Sequence, residues 1–202
     1  MYARVLHKLI GILLILPFIG WIGTGAVFLL KPGYESAYST LAVKKYEITA
    51  AHKIAPNPAW REYRMMRTIL GDHLLVRRGK TWVHFNPVTY LPVDRPDDVQ
   101  VKLLLQDAAN QFPSRYGKIV QWADGLYITS TGVELSLDWD TLTIQQKGRD
   151  TRLINLLYRI HYLQWFGEEQ DSRAFGIAGL GLLALLLICG LVLLFLPAQK
   201  QP

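Results

Sequence analysis

The chain has 202 residues, of which half are apolar, a mean hydropathy of +0.15, a single cysteine and a formal net charge of +6. This composition is too apolar for a soluble domain of this size, and the lone Cys189 excludes an intramolecular disulfide. All 16 acidic residues and all basic residues except Arg4, Lys8 and Lys200 fall between residues 31 and 173. The net charge of that region is only about +3 and well mixed, which argues against nucleic acid as a partner.

The first long apolar run, Leu9–Leu30, contains no charged residue. As a helix it would measure about 33 Å, enough to cross a hydrocarbon core of roughly 30 Å. It is too long for a signal-peptide core and no small-residue cleavage pattern follows it, so we predict an uncleaved transmembrane helix over 9–30. Gly20 and Thr24 form a small-residue face that either packs the two spans together or contacts another subunit.

The second apolar run, Ala174–Leu196, predicts a second transmembrane helix over 174–196. The short flanking tails, 1–8 and 197–202, carry basic residues and no acid. Because short basic flanks stay in the cytoplasm, we predict that both termini are cytoplasmic and that residues 31–173 form an extracytoplasmic domain.

The region between the spans predicts an α+β fold with antiparallel sheets. Helices are expected over 35–53, over 99–112 behind Asp97 and Asp98, and from about residue 150 onwards. Strands are expected within 67–86, with a tight turn at 78–80, and over 118–122, 126–130, 133–138 and 142–146. Arg61, Arg64 and Arg67 would line one helix edge if their segment were helical, either solvated or facing an anionic partner.

A weak internal repeat aligns Val83–Thr89 (VHFNPVT) with Leu135–Thr141 (LSLDWDT). Both read apolar-x-apolar, then Asn or Asp, then Thr three residues later. This pattern predicts a strand that ends in a turn capped by the Asn86 or Asp138 side chain, followed by a return strand. Asp138 and Asp140 could alternatively act together in acid–base or cation chemistry.

The strand–turn pattern resembles the PepSY domain. Leu6–Lys8, Gly11 and Trp21–Gly25 resemble the opening helix of the PepSY-associated transmembrane family, and Ile160–Leu163 resembles its closing helix. The resemblance covers nearly the whole chain. It implies a PepSY-like extracytoplasmic domain, carried by two transmembrane helices in a bacterial inner membrane.

This chain departs from the family in two ways. Tyr90 and Leu142 stand where the family often has a glycine after the turn threonine, and Gln164 stands where it often has a second histidine. Larger members of the family, with four or more spans, include haem-binding inner-membrane reductases that act in ferric-siderophore uptake.

Residues 153–167 (LINLLYRIHYLQWFG) predict an amphipathic juxtamembrane helix that leads into the second span. Ile154, Leu157, Tyr158, His161 and Trp165 fall on one stripe, which we expect to be an interaction surface. Tyr162, Trp165 and Phe166 are expected in the aromatic belt of the membrane interface.

Haem b is the cofactor that would explain histidines beside a membrane, with His161 and His7 as candidate ligands. On the predicted topology the two lie at opposite membrane edges, roughly 30 Å apart, and cannot bind one iron in a single monomer. A homodimer or a partner subunit would have to supply the second ligand. The alternative for His161 is a hydrogen-bonded core or interface residue.

His73 and His84 would face each other across a hairpin if residues 78–79 form its turn. Two histidines without a third ligand make a poor metal site, so we expect a cross-strand pair on the protein surface.

From the sequence we expect a membrane-embedded accessory protein, a subunit or partner of a membrane redox or iron-acquisition complex. The expected partners are the lipid bilayer and either another membrane protein or a second copy. One alternative is an extracytoplasmic binding module with no redox link, such as an inhibitor, chaperone or assembly factor. Another is a homodimeric haem b protein that transfers electrons.

Overall fold

A computed structural model describes residues 2–55, 57–166 and 169–195 of the chain. The fold is α+β, as the sequence predicts, with two antiparallel sheets and a long apolar helix at each end. The helices are α1 (Tyr2–Leu30), α2 (Tyr34–Ala37), α3 (Asp98–Ala109), α4 (Pro113–Tyr116), α5 (Arg149–His161) and α6 (Glu169–Phe195). The strands are β1 (Glu62–Thr68), β2 (Gly71–Arg78), β3 (Thr81–Phe85), β4 (Ile119–Ala123), β5 (Leu126–Thr129), β6 (Glu134–Asp138) and β7 (Thr143–Lys147).

The chain divides into two compact units. One, the helical unit, consists of residues 1–34 and 152–202, and the other, the globular unit, consists of residues 35–151. The boundary falls within α5, whose last residues belong to the helical unit.

In the helical unit, α1 and α6 are each long and apolar enough to cross a membrane, which is compatible with a two-span membrane protein. The two helices pack antiparallel. Near the start of α1, His7 lies against Gly190, where a Cβ atom would come within 3.2 Å of the imidazole ring. One turn further along α1, Gly11 faces Leu186. Glycine at position 190 allows the two helices to approach closely, whereas a Cβ atom at Gly11 would make an ordinary contact with Leu186.

The predicted helix over 35–53 is wrong. Only α2 is helical there, and the chain then runs extended, with isolated bridges between Ala42 and Thr143 and between Tyr46 and Arg67. Leu41 and Val43 are buried while Ala42 between them is exposed. This two-residue period is that of a strand on a core, and it outweighs the loose helical spacing of the same segment.

The first sheet, in the order β1-β2-β3, contains the hairpin predicted at residues 78–80. Arg78 pairs with Thr81, and Gly79 has a φ of +61°, a conformation that glycine adopts without strain. β1 begins before the predicted boundary, so the segment with Arg61, Arg64 and Arg67 is not helical. On β1, Arg64 lies 4.5 Å from the Trp82 ring centroid and bonds to Glu62.

The second sheet, in the order β4-β5-β6-β7, agrees closely with the four strands predicted from the sequence. Helix α3 begins where predicted, since the Asp97 side chain caps it by accepting a hydrogen bond from the Gln100 amide. The main core joins α3 to both sheets. Its fully buried members include Leu75, Val101, Leu104, Leu105, Ala108, Ala109, Tyr127 and Leu135.

The two copies of the internal repeat form the same turn. Asn86 accepts hydrogen bonds from the amides of Val88 and Thr89, and Asp138 accepts them from the amides of Asp140 and Thr141. In each copy the residue after the threonine is left-handed, with φ of +56° at Tyr90 and +50° at Leu142. A glycine would adopt that conformation most easily, and here two bulky residues occupy it. Capping is therefore the role the structure gives Asp138.

Helix α5 does not extend to residue 167. It ends at His161, and Leu163 follows with a φ of +55°. The Gln164 amide bonds to the Arg159 carbonyl and the Leu163 amide to the Ile160 carbonyl, which is a Schellman C-terminal motif. Glycine usually occupies the left-handed position of this motif. Residues 162–166 of the predicted helix therefore lie outside α5, and Gly167 lies outside the described residues.

Candidate functional site

The C-terminal end of α5 is hydrogen-bonded to α1 and packs against it. The Trp21 indole N–H donates a 2.7 Å hydrogen bond to the carbonyl oxygen of His161. Gly20 allows the approach, because a Cβ atom there would lie 3.1 Å from the Ile160 side chain. The small-residue face at Gly20 and Thr24 thus packs against α5 rather than α6.

Hydrogen bonding defines the proton arrangement of the His161 ring. The Thr24 hydroxyl donates its one proton to the Gly20 carbonyl, at 2.6 Å, so its oxygen can only accept from His161 Nδ1, at 2.8 Å. Neutral His161 is therefore protonated on Nδ1 and has a lone pair on Nε2. In the part of the chain that the structure describes, no group forms a hydrogen bond with Nε2.

Aromatic rings surround His161. Phe28 of α1 makes an edge contact with it at 5.1 Å between centroids, and Tyr158 stacks on Phe28 at 4.6 Å. Tyr162 contacts the imidazole from the turn that follows α5, at 5.4 Å. These contacts fix the plane of the ring in addition to the bond at Nδ1.

A cavity of about 360 Å³ lies beside His161 within the helical unit. Trp21, His161, Tyr162, Leu163, Gly176, Leu180 and Leu183 line it. No charged residue is among them. His161, whose Nε2 forms no hydrogen bond with the described residues, and Tyr162 contribute polar groups to the lining. This volume lies at the lower end of the range for small-molecule pockets.

The predicted interaction stripe is only partly a common face. Ile154 is buried, Leu157 and Tyr158 are half-buried, and Tyr158 packs on Phe28 of the same unit. Trp165 does not share that face, since it follows the helix end and lies 5.6 Å from the Phe175 ring.

His7 lies at the opposite end of α1. Its Nδ1 donates to the Leu186 carbonyl at 3.1 Å, so its neutral ring also has a lone pair on Nε2. Roughly 25 Å of helix separates His7 from Thr24, the residue that bonds to His161. The two histidines are therefore not brought together within one chain.

The globular unit contains a second pair of histidines, and the prediction that it lies on the surface is wrong. His73 and His84 do face each other across the hairpin, with 2.9 Å between Nδ1 and Nε2, but their exposed fractions are 4% and 2%. Thr68 donates to His73 Nε2 at 2.7 Å, and His84 Nδ1 donates to the Trp139 carbonyl at 3.4 Å.

This chain of bonds is complete with both rings neutral, since each ring then donates once and accepts once. Burial lowers the pKa of His73 to about 4, helped by the neighbouring His84 and opposed by Asp72. Burial also lowers the pKa of His84 to about 4, against the bond to Trp139. The pair is thus a neutral structural link between the first sheet and the β6–β7 turn.

Among residues 2–55, 57–166 and 169–195, no three His, Cys, Asp or Glu side chains are grouped as a metal site would require. The chain matches no protein-family model, no curated protein and no solved structure.

Sequence reasoning singled out His161 but missed the features that define its surroundings. Trp21 was noted only as part of a motif, and neither the cavity nor the turn at Leu163 was expected. The available signal was Thr24 in an apolar run, since a buried hydroxyl in a membrane helix needs a hydrogen-bond partner.

Proposed function

We propose that this protein is a PepSY-type accessory protein of a bacterial inner membrane, acting as a subunit or partner of a membrane redox or iron-acquisition complex. Two transmembrane helices hold it in the bilayer, both termini face the cytoplasm, and the globular unit is extracytoplasmic. The PepSY-like identity is supported by the two matching turns, at Asn86 and Asp138, each followed by a left-handed residue where the family often has glycine.

The observation that carries this proposal is the environment of His161. An imidazole is held by Thr24 in one tautomer, with its second nitrogen available, beside an apolar cavity in a helix pair. A few polar groups on the wall of an apolar pocket are typical of a binding site.

Affinity purification of the full chain in mild detergent tests the accessory role. We expect a membrane redox protein to be recovered in stoichiometric amount. If the full chain is purified without any membrane redox protein, the result contradicts the proposal and favours a binding module with no redox link.

Two open positions on α1 provide a variant for this experiment. A Cβ atom at Gly23 or Gly25 would meet nothing within 4 Å in this chain. Gly23→Leu with Gly25→Leu should therefore leave the unfolding temperature unchanged and reduce recovery of the partner at least fivefold if α1 contacts it. Ile22→Leu, at an exposed position of the same helix, is the matched control that should change neither.

A second candidate function, a homodimeric haem b protein, is favoured by the shared tautomer of His7 and His161. Each ring donates from Nδ1 to an oxygen atom and leaves Nε2 available, which is how protein partners commonly orient an iron-ligating imidazole. His161 of one copy would pair with the same residue of another, and likewise His7. Haem would supply one-electron chemistry when bound.

Absorption spectroscopy decides this second candidate. Protein purified with haem supplied should show a Soret band that is lost in His161→Ala combined with His7→Ala and retained in the control His52→Ala. The absence of a band excludes haem binding. A band that survives the double substitution shows that other residues bind the iron.

A further inference from the structure

The inference concerns the occupant of the cavity beside His161, and it rests on the proposed membrane location. The walls of the cavity are apolar or aromatic, and no charged side chain lines it. A ring nitrogen left without a donor beside such an apolar space costs free energy. The cavity therefore favours an occupant that supplies one hydrogen-bond donor.

The donor must belong to a neutral, lipid-soluble molecule. A charged group would lose its hydration without meeting an opposite charge on the cavity wall. A flat ring suits the space, since Trp21, His161 and Tyr162 offer aromatic surfaces. Leu180 and Leu183 extend the apolar wall along α6 and suit an apolar tail. A ring that bears a hydroxyl group and an apolar tail meets all of these conditions.

We propose that the cavity beside His161 binds the head group of a membrane quinol, with a quinol hydroxyl donating to His161 Nε2. The bond is a binding contact only, and no electron or proton transfer is part of the proposal. A membrane quinol is the ligand through which the protein would serve a membrane redox complex.

The tautomer makes this site selective between the two redox forms. A quinol carries hydroxyl groups that donate, whereas the corresponding quinone carries only carbonyl oxygens that accept. Neutral His161 donates its one ring N–H to Thr24 and therefore has no donor for a quinone carbonyl. One neutral hydrogen bond should favour the quinol over the quinone by roughly three- to tenfold in affinity.

The test is a binding measurement on the full chain in lipid nanodiscs. The probes are decylubiquinol, kept reduced, and decylubiquinone, each measured against nanodiscs without protein to subtract partition into lipid. We expect saturable binding of both, with the quinol about three- to tenfold tighter. Equal affinity for the two forms, or only non-saturable partition, would overturn the proposal.

Thr24→Val tests the tautomer directly. Valine keeps the shape of the side chain but accepts no bond from Nδ1, so the proton can move to Nε2 and donate to a quinone carbonyl. We expect the preference for the quinol to disappear while saturable binding remains. A preference that persists in Thr24→Val would show that His161 Nε2 is not the acceptor.

A second variant separates a lost site from a misfolded protein. Leu180→Trp places a larger side chain at the cavity wall from an exposed position on α6 and should abolish binding of both probes. The matched control, Leu187→Trp, lies exposed on the same helix away from the cavity and should bind normally. Normal binding in Leu180→Trp would place the probes elsewhere.

Haem and a quinol compete for the same nitrogen. A Soret band that depends on His161, with no quinol binding, would overturn this inference and leave the accessory role untouched. Conversely, quinol binding without any recovered membrane partner would contradict the accessory role and leave this inference standing.

Discussion

At the scale of single residues, the histidine pair His73–His84 shows what burial does to a titratable group. Both rings lie in the core, and their bonds to Thr68 and Trp139 are satisfied in the neutral form. The Trp139 ring also stacks on His84 at 4.2 Å. When both rings are charged, two N–H donors meet face to face at the contact between His73 Nδ1 and His84 Nε2.

This pair predicts a fold that weakens in acid. In the unfolded chain each ring takes up a proton near pH 6.5, but in the folded protein only near pH 4. The stabilisation from the neutral pair is therefore complete above pH 6.5 and is lost as the pH falls towards 4, by up to roughly 3 kcal/mol for each ring. Chemical denaturation of the full chain in detergent at pH 7.5, 5.5 and 4.5 measures the loss.

His84→Gln supplies the comparison for that experiment. Glutamine removes one titrating group and keeps a donor and an acceptor. We expect a lower stability at pH 7.5 and about half the dependence on pH. An unchanged dependence in the variant would assign the acid sensitivity to other groups.

At the scale of elements, two short turns are capped by side chains, one after β3 and one after β6. Asn86 caps its turn with bonds of 2.8 and 3.0 Å, whereas the bonds of Asp138 measure 3.1 and 3.4 Å. The Asn86 turn should therefore depend more on its side chain.

We expect Asn86→Ala to lower the free energy of unfolding by about 1–2 kcal/mol and Asp138→Ala by less, as for other capping side chains. Urea denaturation followed by tryptophan fluorescence measures both. Asn86→Asp, which keeps the acceptor oxygen, is the control and should lose little. A larger loss in Asp138→Ala would contradict this ranking.

The end of α5 gives a second prediction about an element. Leu163 is left-handed but buried, and its side chain approaches Gly179 of α6. Leu163→Ala loses the buried side chain and keeps the strained backbone, whereas Leu163→Gly loses the side chain and relieves the strain. We expect glycine to be more stable than alanine by about 1 kcal/mol, the reverse of their usual order in helices. Thermal unfolding by circular dichroism compares them.

Equal stabilities, or a more stable alanine variant, would show that Leu163 is not left-handed in the membrane-bound protein. Leu156→Ala and Leu156→Gly provide the control pair. Leu156 lies exposed within α5, where alanine should be the more stable residue.

At the scale of the whole molecule, the antiparallel helix pair predicts where the rest of the chain lies. Helices α1 and α6 run in opposite directions, so the start of α1 and the end of α6 share one side of the membrane if both cross it. The basic residues Arg4 and Lys8 predict that this side is the cytoplasm.

Cysteine labelling in a Cys189→Ser background tests this topology. A maleimide that cannot cross membranes should label Asp124→Cys, in the exposed β4–β5 turn, in intact spheroplasts. It should label Tyr2→Cys, at the exposed start of α1, only after permeabilisation. The opposite pattern would invert the orientation, and equal labelling of both sites would show that the chain does not span the membrane.

The sequence alone determined the features that depend on local composition. Uninterrupted apolar runs predicted α1 and α6, a capping aspartate predicted the start of α3, and alternating residues with turn signals predicted the hairpin and the four strands of the second sheet. These patterns act within a few residues of one another, so they can be read without knowing the fold.

The tertiary structure decided what depends on residues distant in the chain. The extended course of 38–53, the burial of His73 and His84, and the left-handed turn at Leu163 each depend on a partner surface that no local pattern specifies. The site at His161 is of the same kind. Its proton lies on Nδ1 because a hydroxyl 137 residues earlier is already committed to a backbone carbonyl.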